Sequence, residues 1–248
     1  MARRYDRADL GVLSEEEARR FLPHGDGDPQ ADVALAWELL YRLEPELYDR
    51  LADAERLHPG VVQWLPRSAR RIVEVGAGTG RLTLELIKRA SEVVAVEPAA
   101  PLRRRLTEKL ARAEHGERVR VVHGFFDDLP LDDGCADLVV ACSALTPDPA
   151  HGGESGLREL ERVCEPGGCV VIVWPNHLDW LADRGYRYAS FGGGLPVEFA
   201  SVDDAVELTG IFYPAAVDEV RRRGQRQVPY ELLGVNPPCD LAFKVLAP

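Results

Sequence analysis

Ile72-Val73-Glu74-Val75-Gly76-Ala77-Gly78-Thr79-Gly80-Arg81-Leu82-Thr83 is the stretch that decides the fold of this chain. Its first residues read as a buried strand. Three glycines at alternate positions break that strand, and Arg81-Leu82-Thr83 opens directly into a helix. Glycine permits backbone angles that other residues avoid, and it lets a ligand lie against the main chain. The helix start adds unpaired N–H donors. In open α/β sheets, ligands bind at the carboxyl ends of strands, where such a turn sits.

Working outward, apolar runs recur at Arg71–Val75, Val93–Val96, Val119–Val122, Asp137–Ala141 and Cys169–Trp174. Helical stretches separate them at Arg81–Ala90, Pro101–Glu114 and Ser155–Val163. Runs rich in Val and Ile, without clean alternation, predict a parallel sheet covered on both faces. The fold class is therefore α/β, a doubly wound, mostly parallel sheet with helices on both faces. Helices are predicted near Asp203–Phe212 and Ala215–Arg223, with a last strand at Leu241–Leu246.

Before Arg70 the pattern is helical. Ser14-Glu15-Glu16-Glu17 reads as an N-cap and acidic first turn, and Ala31–Leu43 and Pro45–Leu57 show helical spacing. Residues 1–66 are expected to form a helical N-terminal extension or lid within the same domain. Residues 67–248 would form the main domain, with its core at about 70–174 and C-terminal helices and the last strand in 175–248.

A formal charge of −11 over 248 residues disfavours a nucleic-acid partner, because phosphate contacts need a basic face. The arginine clusters Arg103–Arg105 and Arg221–Arg223 sit among acids and read as solvated helix faces. No apolar run is long enough for a bilayer, and the N-terminus lacks the apolar segment of a secretory signal. The expectation is a cytoplasmic protein with no membrane association. Five cysteines, none in a C-x-x-C pair, suggest neither a zinc site nor a disulfide framework, and no metal is expected.

The G-x-G-x-G spacing after a strand with an acid at Glu74 resembles the class I (Rossmann-like) S-adenosylmethionine-dependent methyltransferase family, not the G-x-G-x-x-G of dinucleotide binders. The resemblance runs from about Arg70 to Trp174. It implies S-adenosyl-L-methionine as cofactor, with Gly76, Ala77, Gly78 and Gly80 in the cofactor turn and Glu74 fixing the loop and the methionine amino group. Glu97, at the end of the second strand, can accept hydrogen bonds from both ribose hydroxyls through its two oxygens. In Gly124-Phe125-Phe126-Asp127-Asp128, Phe126 would cover the adenine and Asp127, or else Asp128, would meet its amine. Many relatives place Asp directly after that glycine, where this chain has Phe125. Glu165-Pro166-Gly167-Gly168 resembles the turn that leads from a helix to the family's fifth strand.

The reaction so implied is transfer of a methyl group to an unidentified, small-molecule acceptor. The fourth strand lacks the Asn/Asp-Pro-Pro-aromatic ending of many nucleic-acid base methyltransferases. Of the histidines in acceptor-side segments, His177 follows the fifth strand most closely, ahead of His151 and His24. A loop histidine is the simpler reading of His177, and no residue is assigned as catalytic base. Tyr5, Tyr41, Tyr48, Trp37 and Trp180 are candidates to line an acceptor pocket, although aromatics at helical spacing are more often core. Rival readings are a non-catalytic sensor or scaffold that binds the same cofactor, an NAD(P)-dependent oxidoreductase, and a nucleic-acid methyltransferase. The acceptor and the oligomeric state are not written in the sequence.

Overall fold

The computed structural model describes residues 5–6, 8–22 and 29–248, the side chains of 29–32 excepted. In chain order the elements begin with α1 (Glu15–Phe21), α2 (Pro29–Leu43), α3 (Pro45–Ala54) and α4 (Pro59–Trp64). The alternating part follows: β1 (Ala69–Val75), α5 (Thr83–Leu86), β2 (Ala90–Val96), α6 (Ala100–Leu110), β3 (Val119–Val122), β4 (Ala136–Cys142), α7 (Gly153–Val163) and β5 (Cys164–Val173). The remainder is α8 (Leu178–Ala182), β6 (Arg187–Ser190), β7 (Pro196–Glu198), α9 (Val202–Phe212), α10 (Val217–Arg223), β8 (Gln227–Pro229), α11 (Tyr230–Leu233) and β9 (Asp240–Val245). None of the helices among the described residues is long and apolar enough to cross a membrane.

The chain divides into two compact units. The sheet unit comprises Leu57–Gly193 and Pro238–Pro248, and the helical unit comprises Met1–Arg56 and Gly194–Pro237. The division falls at Arg56 rather than at 66, and a stretch late in the chain joins the N-terminal helices.

In the sheet unit seven strands lie in the order β3-β2-β1-β4-β5-β9-β6. The first five are parallel, and β9 pairs antiparallel with both β5 and β6. β1, β2, β4 and β5 each end in a run of buried residues, which is why they read as continuous apolar segments. Alternate residues feed two cores. Ile72, Val93, Leu138 and Val171 enter one, and Val73, Val94, Val139 and Val170 the other. The reversal of order between β2-β1 and β4-β5 puts the topological switch point at the end of β1.

Two local expectations are corrected. The segment Arg81–Ala90 holds only one helical turn, α5, before β2 begins at Ala90. Pro166-Gly167-Gly168 is no connecting turn: α7 passes straight into β5, and those residues form an irregularity inside that strand. The register jumps there from Ala136↔Cys164 to Leu138↔Cys169, with Gly167 at φ +80°. Elsewhere Asp137 faces β1, where its two oxygens accept from the N–H groups of Arg70 and Arg71, both at 2.8 Å.

The helical unit is held by caps and ion pairs. Ser14 and Glu17 form a reciprocal capping box at the start of α1. Glu17 also meets Arg42, whose guanidinium pairs with Glu38 at 2.7 Å and lies 5.5 Å from the Phe21 ring. β7 and β8 form a two-stranded antiparallel ribbon, and Glu198 at its end pairs with Arg56 and Arg226. Arg221, Arg222 and Arg223 pair with Asp218 and Glu219 one turn earlier, as a solvated helix face does.

Candidate functional site

The turn after β1 is built by three left-handed glycines: Gly76 at φ +75°, Gly78 at +56° and Gly80 at +98°. An L side chain costs about 1–2 kcal/mol in that region. Space is restricted as well. A Cβ on Gly76 would lie 2.9 Å from the Cβ of Ala144, and one on Gly80 would lie 2.6 Å from Cδ1 of Leu106. The N–H groups of Gly76 and Ala77 both donate to the Val96 carbonyl, at 2.9 and 3.0 Å, so the turn is pinned to the end of β2.

Glu97 extends that pinning through its side chain. Its Oε2 accepts from the Gly78 N–H at 2.9 Å and its Oε1 from the Ala99 N–H at 2.8 Å. Glu97 thus braces the turn through both of its carboxylate oxygens. Arg103 donates to the carbonyls of Glu97 and Pro98, at 2.7 and 2.6 Å. The first arginine of that cluster is therefore part of the site's frame, not merely a solvated face.

Glu74 sits within β1, opposite Ala95 of β2 and Val140 of β4, and is buried. The Thr83 hydroxyl donates to its Oε2 at 2.5 Å. Burial pushes its carboxyl up to about 8. The Glu97 charge acts in the same direction, while the Thr83 hydrogen bond and the Arg81 charge oppose it. In the same turn the Thr79 hydroxyl is buried without a hydrogen-bond partner among the described residues. A buried hydroxyl left so is costly unless a ligand completes it. With the glycine cradle and the two carboxylates, it fits a polar, cationic, ribose-bearing cofactor.

The Phe126 ring is drawn to this turn: its Cζ would lie 3.2 Å from a Cβ on Gly76, and its own Cβ 3.0 Å from one on Gly152 or Gly156. Asp127 is half-buried in the adjoining tight turn, where the Asp128 N–H donates to the Phe125 carbonyl, and Asp128 itself is exposed.

The carboxyl edge of the sheet also carries residues that the sequence reading passed over. Ser143 and Trp174, directly after β4 and β5, hold left-handed φ of +52° and +51°. Such strain in non-glycine residues gathers at functional sites. The Arg81 guanidinium lies 5.2 Å from the Trp174 ring. The Trp174 N–H donates to the carbonyl of Asp240, so the start of antiparallel β9 lies at this same edge. Tyr188 donates to Oδ2 of Asp240 at 3.0 Å, while Oδ1 is buried with no partner among the described residues, and burial raises this carboxyl. A polar residue opening a last strand was the available signal; it needed the antiparallel placement of that strand to be read.

The histidines fare differently. His177 is exposed at the N-cap of α8, and its side chain makes no capping bond. His151 is half-buried in a short 3-10 turn. His24 lies outside the described residues. Trp180 donates to Glu154 at 2.9 Å, on the sheet unit. The other aromatic candidates, Tyr5, Trp37, Tyr41 and Tyr48, belong to the helical unit.

Comparison with known proteins agrees with this geometry. Residues 72–168 match a family described as a methyltransferase domain. An uncharacterized methyltransferase of Mycobacterium tuberculosis is 33% identical over 171 residues, covering 64% of this chain and 66% of that protein. A chloroplastic 2-methyl-6-phytyl-1,4-hydroquinone methyltransferase of Arabidopsis thaliana is 30% identical over 142 residues, 54% of this chain and 36% of that one. Among solved structures, a chain from the complex of the Haloferax volcanii Trm112 methyltransferase activator shares the fold. Its TM-score is 0.54 at 15% identity, with 84% of this chain and 96% of that chain covered. The match lies within the sheet unit, where this chain is similar to methyltransferases, and the chain spans 66% of the length of the first of these relatives.

Proposed function

We propose, from that similarity, that this chain is a class I S-adenosylmethionine-dependent methyltransferase that transfers a methyl group to a small-molecule acceptor by in-line displacement and works in the cytoplasm. When bound, the cofactor supplies an electrophilic methyl on a sulfonium, so the protein need only bind, orient and exclude water. The observation that carries the reading is the turn of three left-handed glycines braced by the Glu97 carboxylate on the Gly78 N–H. The glycine turn and Glu97 would hold the adenosyl part, with Phe126 against the ring and Asp127 at its amine. Glu74 would face the methionine amino group, and the Thr79 hydroxyl would gain a partner. Acceptor choice would rest with residues outside 72–168, the stretch that matches the methyltransferase-domain family.

Calorimetric titration with S-adenosylmethionine, S-adenosylhomocysteine and NAD tests this. Micromolar-range binding of the first two is expected, roughly −8 kcal/mol. Glu97→Ala should weaken it about 10- to 100-fold, because two N–H groups and the ribose lose a charged acceptor. Tighter binding of NAD would overturn the assignment. Methyl transfer to a panel of small acceptors, with RNA and DNA as controls, then tests the acceptor class.

A further inference from the structure

Phe126 is a large side chain seated where glycines leave room for it. On one side, a Cβ on Gly152 or on Gly156 would lie 3.0 Å from the Cβ of Phe126, tighter than ordinary contact. On the other, the Cζ and Cε2 of the ring would lie 3.2 and 3.4 Å from a Cβ on Gly76, the first glycine of the turn after β1. The side chain therefore spans from the start of α7 to the cofactor turn, and all of these residues belong to the sheet unit. The segment that carries Phe126 is tied to α7 as well. The Leu129 N–H donates to Oε2 of Glu159 at 3.0 Å, and Arg162 donates to the Leu129 carbonyl at 3.2 Å.

Phe126 bears on the segment after β4, residues 143–153. That segment leaves the strand through Ser143, whose N–H donates to the Val173 carbonyl at 2.9 Å. It then closes on itself: the Thr146 N–H donates to the His151 carbonyl at 3.2 Å, and the Gly153 N–H to the Thr146 carbonyl at 3.0 Å. Between these bonds the Asp148 carboxylate accepts from the Ala150 N–H at 2.9 Å. So bonded, the segment holds together as one piece. Its base approaches the cofactor turn directly, where the Cβ of Ala144 would lie 2.9 Å from one on Gly76. Its far end reaches that turn through Phe126, at Gly152. Gly152 has φ +103°, and a Cβ there would also lie 2.5 Å from Cδ1 of Leu145, so a larger residue would push the ring away.

Close-packed interiors pass a displacement on instead of absorbing it. A ligand shifts a segment only where it interacts differently with that segment's alternative positions. A cofactor lying on the glycine turn meets the edge of the Phe126 ring above Gly76, and the opposite end of the same side chain rests on Gly152. Resting on the methyltransferase reading, we propose that Phe126 is a positioning residue: its ring conveys cofactor occupancy to the segment after β4 and so fixes this acceptor-side segment once the cofactor is bound. The half-buried His151 is carried on that segment.

The test is hydrogen exchange of the full chain, read on peptides within 143–156, without ligand and with saturating S-adenosylhomocysteine. Calorimetry on each variant sets the saturating concentration. In the parent, the ligand should slow exchange of this segment roughly fivefold. Phe126→Leu keeps the contacts with Gly152 and Gly156 but is too short to reach Gly76. Its ligand-free exchange should match the parent, and the slowing should fall below about twofold. Phe126→Met, long enough to reach the glycine, should keep more of the slowing than Phe126→Leu. A side chain that merely filled space would give the reverse in Phe126→Leu, faster ligand-free exchange with the slowing intact, and that result overturns the proposal. So does binding to the parent that leaves exchange of 143–156 unchanged. If S-adenosylhomocysteine does not bind the parent, the cofactor reading fails, and the contact is judged separately in ligand-free Phe126→Ala. There exchange at 143–156 and at 76–80 should rise about threefold, and unchanged exchange overturns the contact.

Discussion

In the sheet unit the candidate site is built mostly of main-chain groups held by glycines, whereas the helical unit gathers aromatic and carboxylate side chains from separate stretches of chain. The first arrangement is rigid and local: Gly76 to Gly80 lie within five residues, and the Val96 carbonyl and Glu97 carboxylate fix them. The second depends on α2, α3 and the end of α9 coming together. A backbone cradle suits a cofactor whose shape never varies. Side chains on helices can be exchanged one by one without rebuilding the backbone. The sharpest way to break this comparison is Gly76→Val. A left-handed φ and the 2.9 Å approach to Ala144 should together cost a few kcal/mol. Cofactor affinity by calorimetry is expected to fall roughly 100-fold, with the near-ultraviolet circular dichroism of the aromatic residues unchanged. Parallel loss of both would mean that the two regions do not act separately.

A smaller effect sharpens the electrostatic side of the contrast. Glu74 is buried with its carboxyl pushed up to about 8, from an ordinary value of 4.5. Below pH 4.5 it is protonated in folded and unfolded chains alike. Between 4.5 and 8 the unfolded chain gives up a proton that the folded chain retains, so stability declines as pH rises and levels off above 8. In Glu74→Gln that decline should be absent, leaving the variant more stable than the parent at pH 8 by on the order of a few kcal/mol. Chemical denaturation of the cofactor-free protein at pH 5, 6.5 and 8 measures this. The same variant should bind S-adenosylmethionine more weakly, because the carboxylate proposed to meet the amino group is gone. A parent whose stability is flat from pH 5 to 8 would remove the premise.

How much of this could be read beforehand followed the same division. β3 begins and ends where the apolar run at Val119–Val122 does, and the cofactor turn was legible because the glycine requirement is local in sequence. The site residues that escaped notice answer to pairing. Asp240 reaches the carboxyl edge only because β9 runs antiparallel to β5, and Thr83 matters only because one turn of helix returns its hydroxyl to Glu74. Pro166-Gly167-Gly168 carries turn chemistry, yet β4 pairing on either side keeps it inside a strand. In the helical unit Trp37, Tyr41 and Tyr48 were visible as aromatics at helical spacing. The stacking of Trp37 on Phe212 was not, since it joins residues more than 150 positions apart.

Thr83 offers the finest test of whether the sheet unit is as preorganised as its backbone suggests. Its hydroxyl lies between Glu74 and the helix start, and it donates to the carboxyl's Oε2 at 2.5 Å. That hydrogen bond favours the ionised form, so removing it in Thr83→Val should move the Glu74 titration to higher pH. Cofactor affinity in the parent is expected to rise with pH as Glu74 ionises. In Thr83→Val the whole rise should shift upward, leaving affinity at pH 7 lower by about three- to tenfold. Calorimetry from pH 6 to 9 separates the two possible origins of any loss. A uniform drop at every pH would mean that Thr83 merely shapes the helix start. A drop that fades toward pH 9 would mean that it acts through the charge on Glu74, the one part of this cofactor site that depends on a proton rather than on the path of the chain.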